Sequence, residues 1–146
     1  VAYETGAVFH TEPWEPNVTA LHNPDELKWR EFVADDTPLP TPWDKNTFES
    51  ISSSAQIERR ELRTAGAPEI EIDRLFTEQM ERETSALQRM THAGNVGAFE
   101  GASYEPTGLF RSEIDCLMFT RNPVGFCQVC QRAITRVIDL YSRTEE

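Results

Sequence analysis

Asp115-Cys116-Leu117-Met118, followed after eight residues by Cys127-Gln128-Val129-Cys130, holds every cysteine of this 146-residue chain. Three sulfurs fall within fifteen residues, and the first 115 residues have none. A staple of some kind therefore belongs near the end of the chain, and an odd count permits at most one intrachain disulfide. The leading reading is a disulfide from Cys116 to Cys127 or Cys130, tying a loop to the last helix as exported proteins often do. A second is a zinc site of three thiolates with His92 as fourth ligand. A redox Cys-x-x-Cys is the third, although no thioredoxin-like strand and helix surround it and nothing basic adjoins Cys127.

Outward from this stretch, Cys130, Ala133, Ile134, Val137, Ile138 and Tyr141 recur at three and four, which predicts a closing helix over 127–142 with one buried stripe. Arg132 and Arg136 are expected to face water. On the other side, Gly94 to Gly108 contains four glycines, an asparagine and Pro106, the composition of a loop. Its glycine spacing lacks the Gly-Lys-Ser/Thr ending of a phosphate loop. Leu117–Thr120 and Gly6–His10 are read as short strands.

Residues 48–92 are charged and nearly free of proline, and are expected to be helical. Ser53 with Gln56 suggests a capping box, and Gly66-Ala67-Pro68 ends one helix and starts another. In the second, Ile72, Leu75, Phe76, Met80, Leu87 and Met90 form one stripe, and Glu78 is placed to pair with Arg82. Residues 1–47 are punctuated by prolines and tryptophans and read as extended and irregular, save for a helical turn or two within Asn23–Phe32. Thr37-Pro38-Leu39-Pro40-Thr41-Pro42 favours an extended connector. The whole is expected to be one unit over 1–146, α+β and mainly helical, with a long irregular Pro/Trp-rich N-terminal segment.

Twenty-five acids against fourteen bases give a net charge of -11, which disfavours nucleic acid and anionic membrane as partners. The longest apolar runs are far short of a membrane span. The chain opens on Val1 with no basic and apolar leader, so a processed or excised form is expected. His10, His22 and His92 do not have the spacing of paired zinc ligands, no Ser sits in Gly-x-Ser-x-Gly, and no His-Glu-x-x-His occurs. Glu100, Glu105, Glu113 and Asp115 are close in sequence, as chance provides in so acidic a chain. Asn17-Val18-Thr19 fits a glycosylation acceptor, a pattern short enough to recur by accident.

Several ordered motifs resemble the IgA-peptidase family of zinc metallopeptidases. They are Gly97-Ala98-Phe99-Glu100-Gly101-Ala102-Ser103-Tyr104, Gly108-Leu109-Phe110-Arg111, Asp115-Cys116-Leu117-Met118 and Phe126-Cys127-Gln128-Val129-Cys130. Earlier in the chain, Pro13-Trp14-Glu15-Pro16-Asn17-Val18-Thr19, Leu27-Lys28-Trp29 and Thr37–Pro42 resemble the same family in the same order. The resemblance implies the C-terminal part of a metzincin-like peptidase catalytic domain, in which zinc activates water to hydrolyse a peptide bond. It implies that Met118 supplies a methionine turn beneath the zinc, that 93–126 is the Gly-rich and Met-turn region, and that 48–92 is a helical insertion. Tyr104 is implied to hydrogen-bond a tetrahedral intermediate, and Cys116, Cys127 and Cys130 to be structural.

The zinc-binding helix of that family is missing from these residues. No metal ligand is therefore assigned within the chain, and the catalytic zinc is expected to be held by a companion segment. The chain alone is expected to be inactive, its substrate a protein or peptide, its location secreted or periplasmic. The competing expectations are a non-catalytic protein-interaction module and a small domain stabilised by zinc or a disulfide.

Overall fold

In the computed structural model, which describes residues 10–121 and 124–143, the first long helix starts where Asp44 accepts a hydrogen bond from the Thr47 amide at 3.1 Å. A carboxylate satisfying an orphan amide is a strong start signal. Helix α1 (Lys45–Thr64) therefore begins before the expected capping box, and Ser53 and Gln56 lie inside it. Helix α2 (Glu69–Gln88) follows Gly66, at φ +69, and Pro68. The two run antiparallel: Ser52 Oγ donates to Glu83 Oε1 at 2.9 Å, and the Arg59 guanidinium lies 4.7 Å from the Phe76 ring centre. Arg82 forms its ion pair across the hairpin with Glu58, at 3.8 Å, and meets Glu78 only through that residue's carbonyl. The expected Glu78–Arg82 pair is thus replaced by an interhelical one.

Ile72, Leu75 and Leu87 of the expected α2 stripe are buried. Leu87 packs with Phe99 and Ile114, with Trp43, Phe48 and Met90 against them, which fastens the base of the hairpin to the rest of the molecule. The N-terminal part contains two 3-10 turns, Pro24–Glu26 and Arg30–Phe32, where one or two helical turns are expected. Trp29 between them is fully buried.

The stretch expected as a glycine loop is mostly a hairpin. Strand β1 (Val18–Thr19) and strand β2 (Phe99–Ala102) flank strand β3 (Glu105–Arg111) in one antiparallel sheet. Val18 pairs with Arg111, and so does Phe99 from the other side. Ser103 and Tyr104 form the turn, both with positive φ, at +50 and +65. Such a turn suits the twist of a hairpin but is usually built from Asn and Gly, so neither residue announces it. The register slips between Glu100 and Ala102, where Gly101 adopts φ +108, a bulge geometry that favours glycine.

Leu117–Thr120 is a turn and not a strand: the amides of Phe119 and Thr120 both donate to the Cys116 carbonyl, at 2.8 and 3.0 Å. Of the other expected strand, Gly6 to Phe9 lie outside the described residues and His10 belongs to no element. Helix α3 (Gln128–Ser142) matches the expected span, but only Val129 and Cys130 are buried. Its apolar stripe is open, with Val137 and Ile138 more than half exposed. Helical spacing creates an apolar face; burial needs something to pack on it, and only the first turn of α3 meets the core. Arg132, expected to face water, instead lies over the Phe32 ring, pairs with Glu31 and donates to the Lys28 carbonyl. Among the described residues, no helix is long and apolar enough to cross a membrane.

Candidate active-site cleft and cysteine cluster

The motifs that are far apart in sequence hold one another in place. Trp29 Nε1 donates to the Gly97 carbonyl at 2.7 Å. The Gly97 amide donates to Ser112 O at 2.8 Å, and Thr41 closes the other side, its amide on Ala98 O and its hydroxyl oxygen accepting from the Ala98 amide. A Cβ on Gly97 would lie 2.2 Å from Thr41 Oγ1, so glycine is required for this approach. Lys28 Nζ donates to the carbonyls of Pro13, Glu15 and Val18 and pairs with Glu12 at 3.1 Å. The first of these segments is thereby pinned beside β1.

Arg111, at the end of β3, organises the next layer. Its guanidinium donates to the carbonyls of Ile114, Glu100 and Gly101 and is sandwiched between Trp43 and Phe119, 4.4 and 3.6 Å from their ring centres. Burial pulls its pKa down to about 9, against the upward pull of Asp115 and Cys116, so it remains a cation at neutral pH. A buried cation on two aromatic faces and several carbonyls fixes the hairpin against the turn at 117–119.

Over this layer lies a cavity of about 650 Å³, whose lining includes Trp43, Phe48, Tyr104, Arg111, Met118 and Phe119. Tyr104, on the hairpin turn, is fully exposed. Met118, also largely exposed, sits in the turn after Cys116 and donates its amide to Cys116 Sγ at 3.4 Å. Tyr104 and Met118 therefore border the same hollow from two different elements. Of the four acids close in sequence, Glu105 and Glu113 line the cavity; Glu113 accepts from the Gln128 amide at 2.7 Å, Glu100 pairs with Lys45 at 3.7 Å, and Asp115 accepts from the Thr120 hydroxyl at 2.7 Å.

The three cysteines are buried free thiols, and the expected disulfide is not formed. Their sulfurs nevertheless converge, all within 4.8 Å of one another, with Cys116 and Cys130 3.9 Å apart. Cys127 is the N-cap of α3, accepting from the Cys130 amide at 3.5 Å, with Ser112 Oγ 3.2 Å from its sulfur. Hydrogen bonds from Cys116 and Cys130, aided by Ser112 and the Cys130 amide, pull the Cys127 thiol well below the ordinary range despite its burial. Its neighbours are pushed up, Cys116 chiefly by its bond to Cys127 and Cys130 chiefly by its bond to Cys116. His92 does not join the cluster.

The His22 ring bonds the His10 carbonyl at 2.7 Å. Thr19 is buried in β1 and its hydroxyl donates to Glu12, so the Asn17-Val18-Thr19 acceptor pattern is committed to packing. Arg111 and Lys28 carry no signal of their own in the sequence and stand out only as members of the Gly108–Arg111 and Leu27–Trp29 motifs.

A family model described as IgA Peptidase M64 matches residues 1–138. No curated protein matches the chain.

Proposed function

We propose, since the chain belongs to the IgA Peptidase M64 family, a metallopeptidase family, that it is the C-terminal part of a zinc metalloendopeptidase domain. In this reading it supplies the floor and one wall of a cleft that binds a protein or peptide substrate. The observation that carries the reading is the convergence of Tyr104 and Met118 on one cavity, over a layer in which distant motifs of the chain interlock. A hollow walled by Trp43, Phe48 and Phe119, with a few polar groups at its edge, suits side chains of a peptide.

A histidine-ligated catalytic zinc finds no ligand set among the described residues. Among the described residues, the group of three ligand side chains that converges closely enough for one ion is the cysteine triad, and it contains no histidine. The zinc ligands are therefore assigned to a companion segment, and the roles left to this chain are positional. In this reading Met118 would offer an apolar turn beneath the reaction centre, in the manner of a metzincin, and the Tyr104 hydroxyl would donate to the oxygen of a scissile carbonyl as it becomes charged. The open apolar stripe of α3 suits coverage by further protein.

The test is kinetic, on the longest product of the gene. Tyr104→Phe should lower kcat on a fluorogenic peptide at least tenfold while leaving KM nearly unchanged, as expected for a bond made only in the transition state. An unchanged kcat removes Tyr104 from the site, and an enzyme indifferent to chelators removes the metallopeptidase reading.

A further inference from the structure

We propose that Cys116, Cys127 and Cys130 form a tri-thiolate metal centre that takes zinc and locks the Met118 turn onto the start of α3. Thiolates bound at about 2.3 Å around a tetrahedral zinc lie roughly 3.8 Å from one another. Cys116 and Cys130 already stand 3.9 Å apart, and the third sulfur is within 4.8 Å of both. A disulfide needs about 2.05 Å, and would leave the third buried sulfur without a partner of its own kind.

The surroundings suit sulfur anions. Cys116 Sγ accepts from the amides of Met118 and Cys127, at 3.4 and 3.3 Å. Cys127 Sγ accepts from the Cys130 amide at the N-terminus of α3. Donors of this kind orient a metal ligand and stabilise its charge. Arg111 supplies the counter-charge: zinc with three thiolates carries one net negative charge, and Cys116 is one of the two charges that act on this buried guanidinium. Cys116 and Cys127 both line the cavity, so the fourth position opens on it and takes a water.

Binding breaks three S–H bonds and forms three Zn–S bonds. The three protons leave to solvent and nothing is oxidised or reduced. The centre is separate from the catalytic zinc of the peptidase and does not depend on the peptidase reading.

The probe is the metal alone. Reduced, metal-free protein titrated with Co(II) should bind one ion and show intense thiolate-to-cobalt absorption in the near ultraviolet, and Zn(II) should displace it. Cys127→Ser should lose that band, and Ser112→Ala should keep it. The titration of the unaltered chain stands even if Cys127→Ser does not fold. In a gene product that also contains a His-Glu-x-x-His helix, two zinc ions per chain are expected, one of them lost in Cys127→Ser. Reduced protein that binds no cobalt through sulfur overturns the proposal. So does alkylation showing two of the three sulfurs oxidised in the purified protein, or cobalt absorption undiminished in Cys127→Ser.

Discussion

The indole of Trp29 donates to the carbonyl of Gly97 at 2.7 Å, joining residues 68 positions apart at the centre of the molecule. The bond is fully buried, and it ties the Leu27-Lys28-Trp29 segment to the residues that lead into β2. Trp29→Phe keeps most of the apolar volume but leaves that carbonyl unpaired, a cost of about 1–3 kcal/mol. Trp29→Ala should cost about 3–5 kcal/mol by adding a cavity. Urea unfolding followed by circular dichroism reads both, and a Trp29→Phe variant as stable as the unaltered protein would show that the hydrogen bond contributes little.

Arg111 is expected to tolerate no substitution by lysine. A single ammonium cannot reach the carbonyls of Ile114, Glu100 and Gly101 while stacking between Trp43 and Phe119. Arg111→Lys should destabilise by at least about 1.5–3 kcal/mol, the worth of one charged hydrogen bond. A denaturation midpoint equal to that of the unaltered protein would contradict this role.

Acid should weaken the molecule through Glu12. Burial alone would raise its pKa, but hydrogen bonds from the Ala20 amide, the Thr19 hydroxyl and Lys28 together hold it below its ordinary value of 4.5. A carboxyl depressed in the folded state adds stability above its unfolded pKa, and that stability is lost as pH falls through the folded one. The stability difference between the unaltered protein and Glu12→Gln should therefore be full near neutrality and shrink below pH 4.5. Thermal melts across that range check the sign, and a difference that widens in acid would refute it.

The helices are legible because composition and spacing act locally. Gly66 and Pro68 mark the break between α1 and α2, and the stripe from Ile72 to Leu87 marks the face of α2. The start of α1 is harder to read, because the serine run 52–54 offers a competing cap signal to Asp44, whose cap is a matter of one carboxylate meeting one amide. The sheet is hidden for a different reason. Its strands carry Gly101 and Gly108, and its turn is built from Ser103 and Tyr104, so local composition suggests a loop where long-range pairing makes a hairpin. The stripe on α3 shows the converse, apolar spacing without burial. The convergence of the cysteines is legible as proximity, but their state is not, since spacing alone does not separate a disulfide from a cluster of thiols. The common cavity of Tyr104 and Met118 requires the fold.

In the function proposed above, this chain is one part of a metallopeptidase site whose zinc ligands lie elsewhere. Its most direct test is a complementation assay. The 146-residue chain is measured for cleavage of a fluorogenic peptide library, alone and after mixing with the polypeptide encoded upstream, in the presence of zinc. No cleavage by the chain alone, with chelator-sensitive cleavage on mixing, is the predicted result. Cleavage by the chain alone, or none from the mixture and none from the longest gene product, would contradict it.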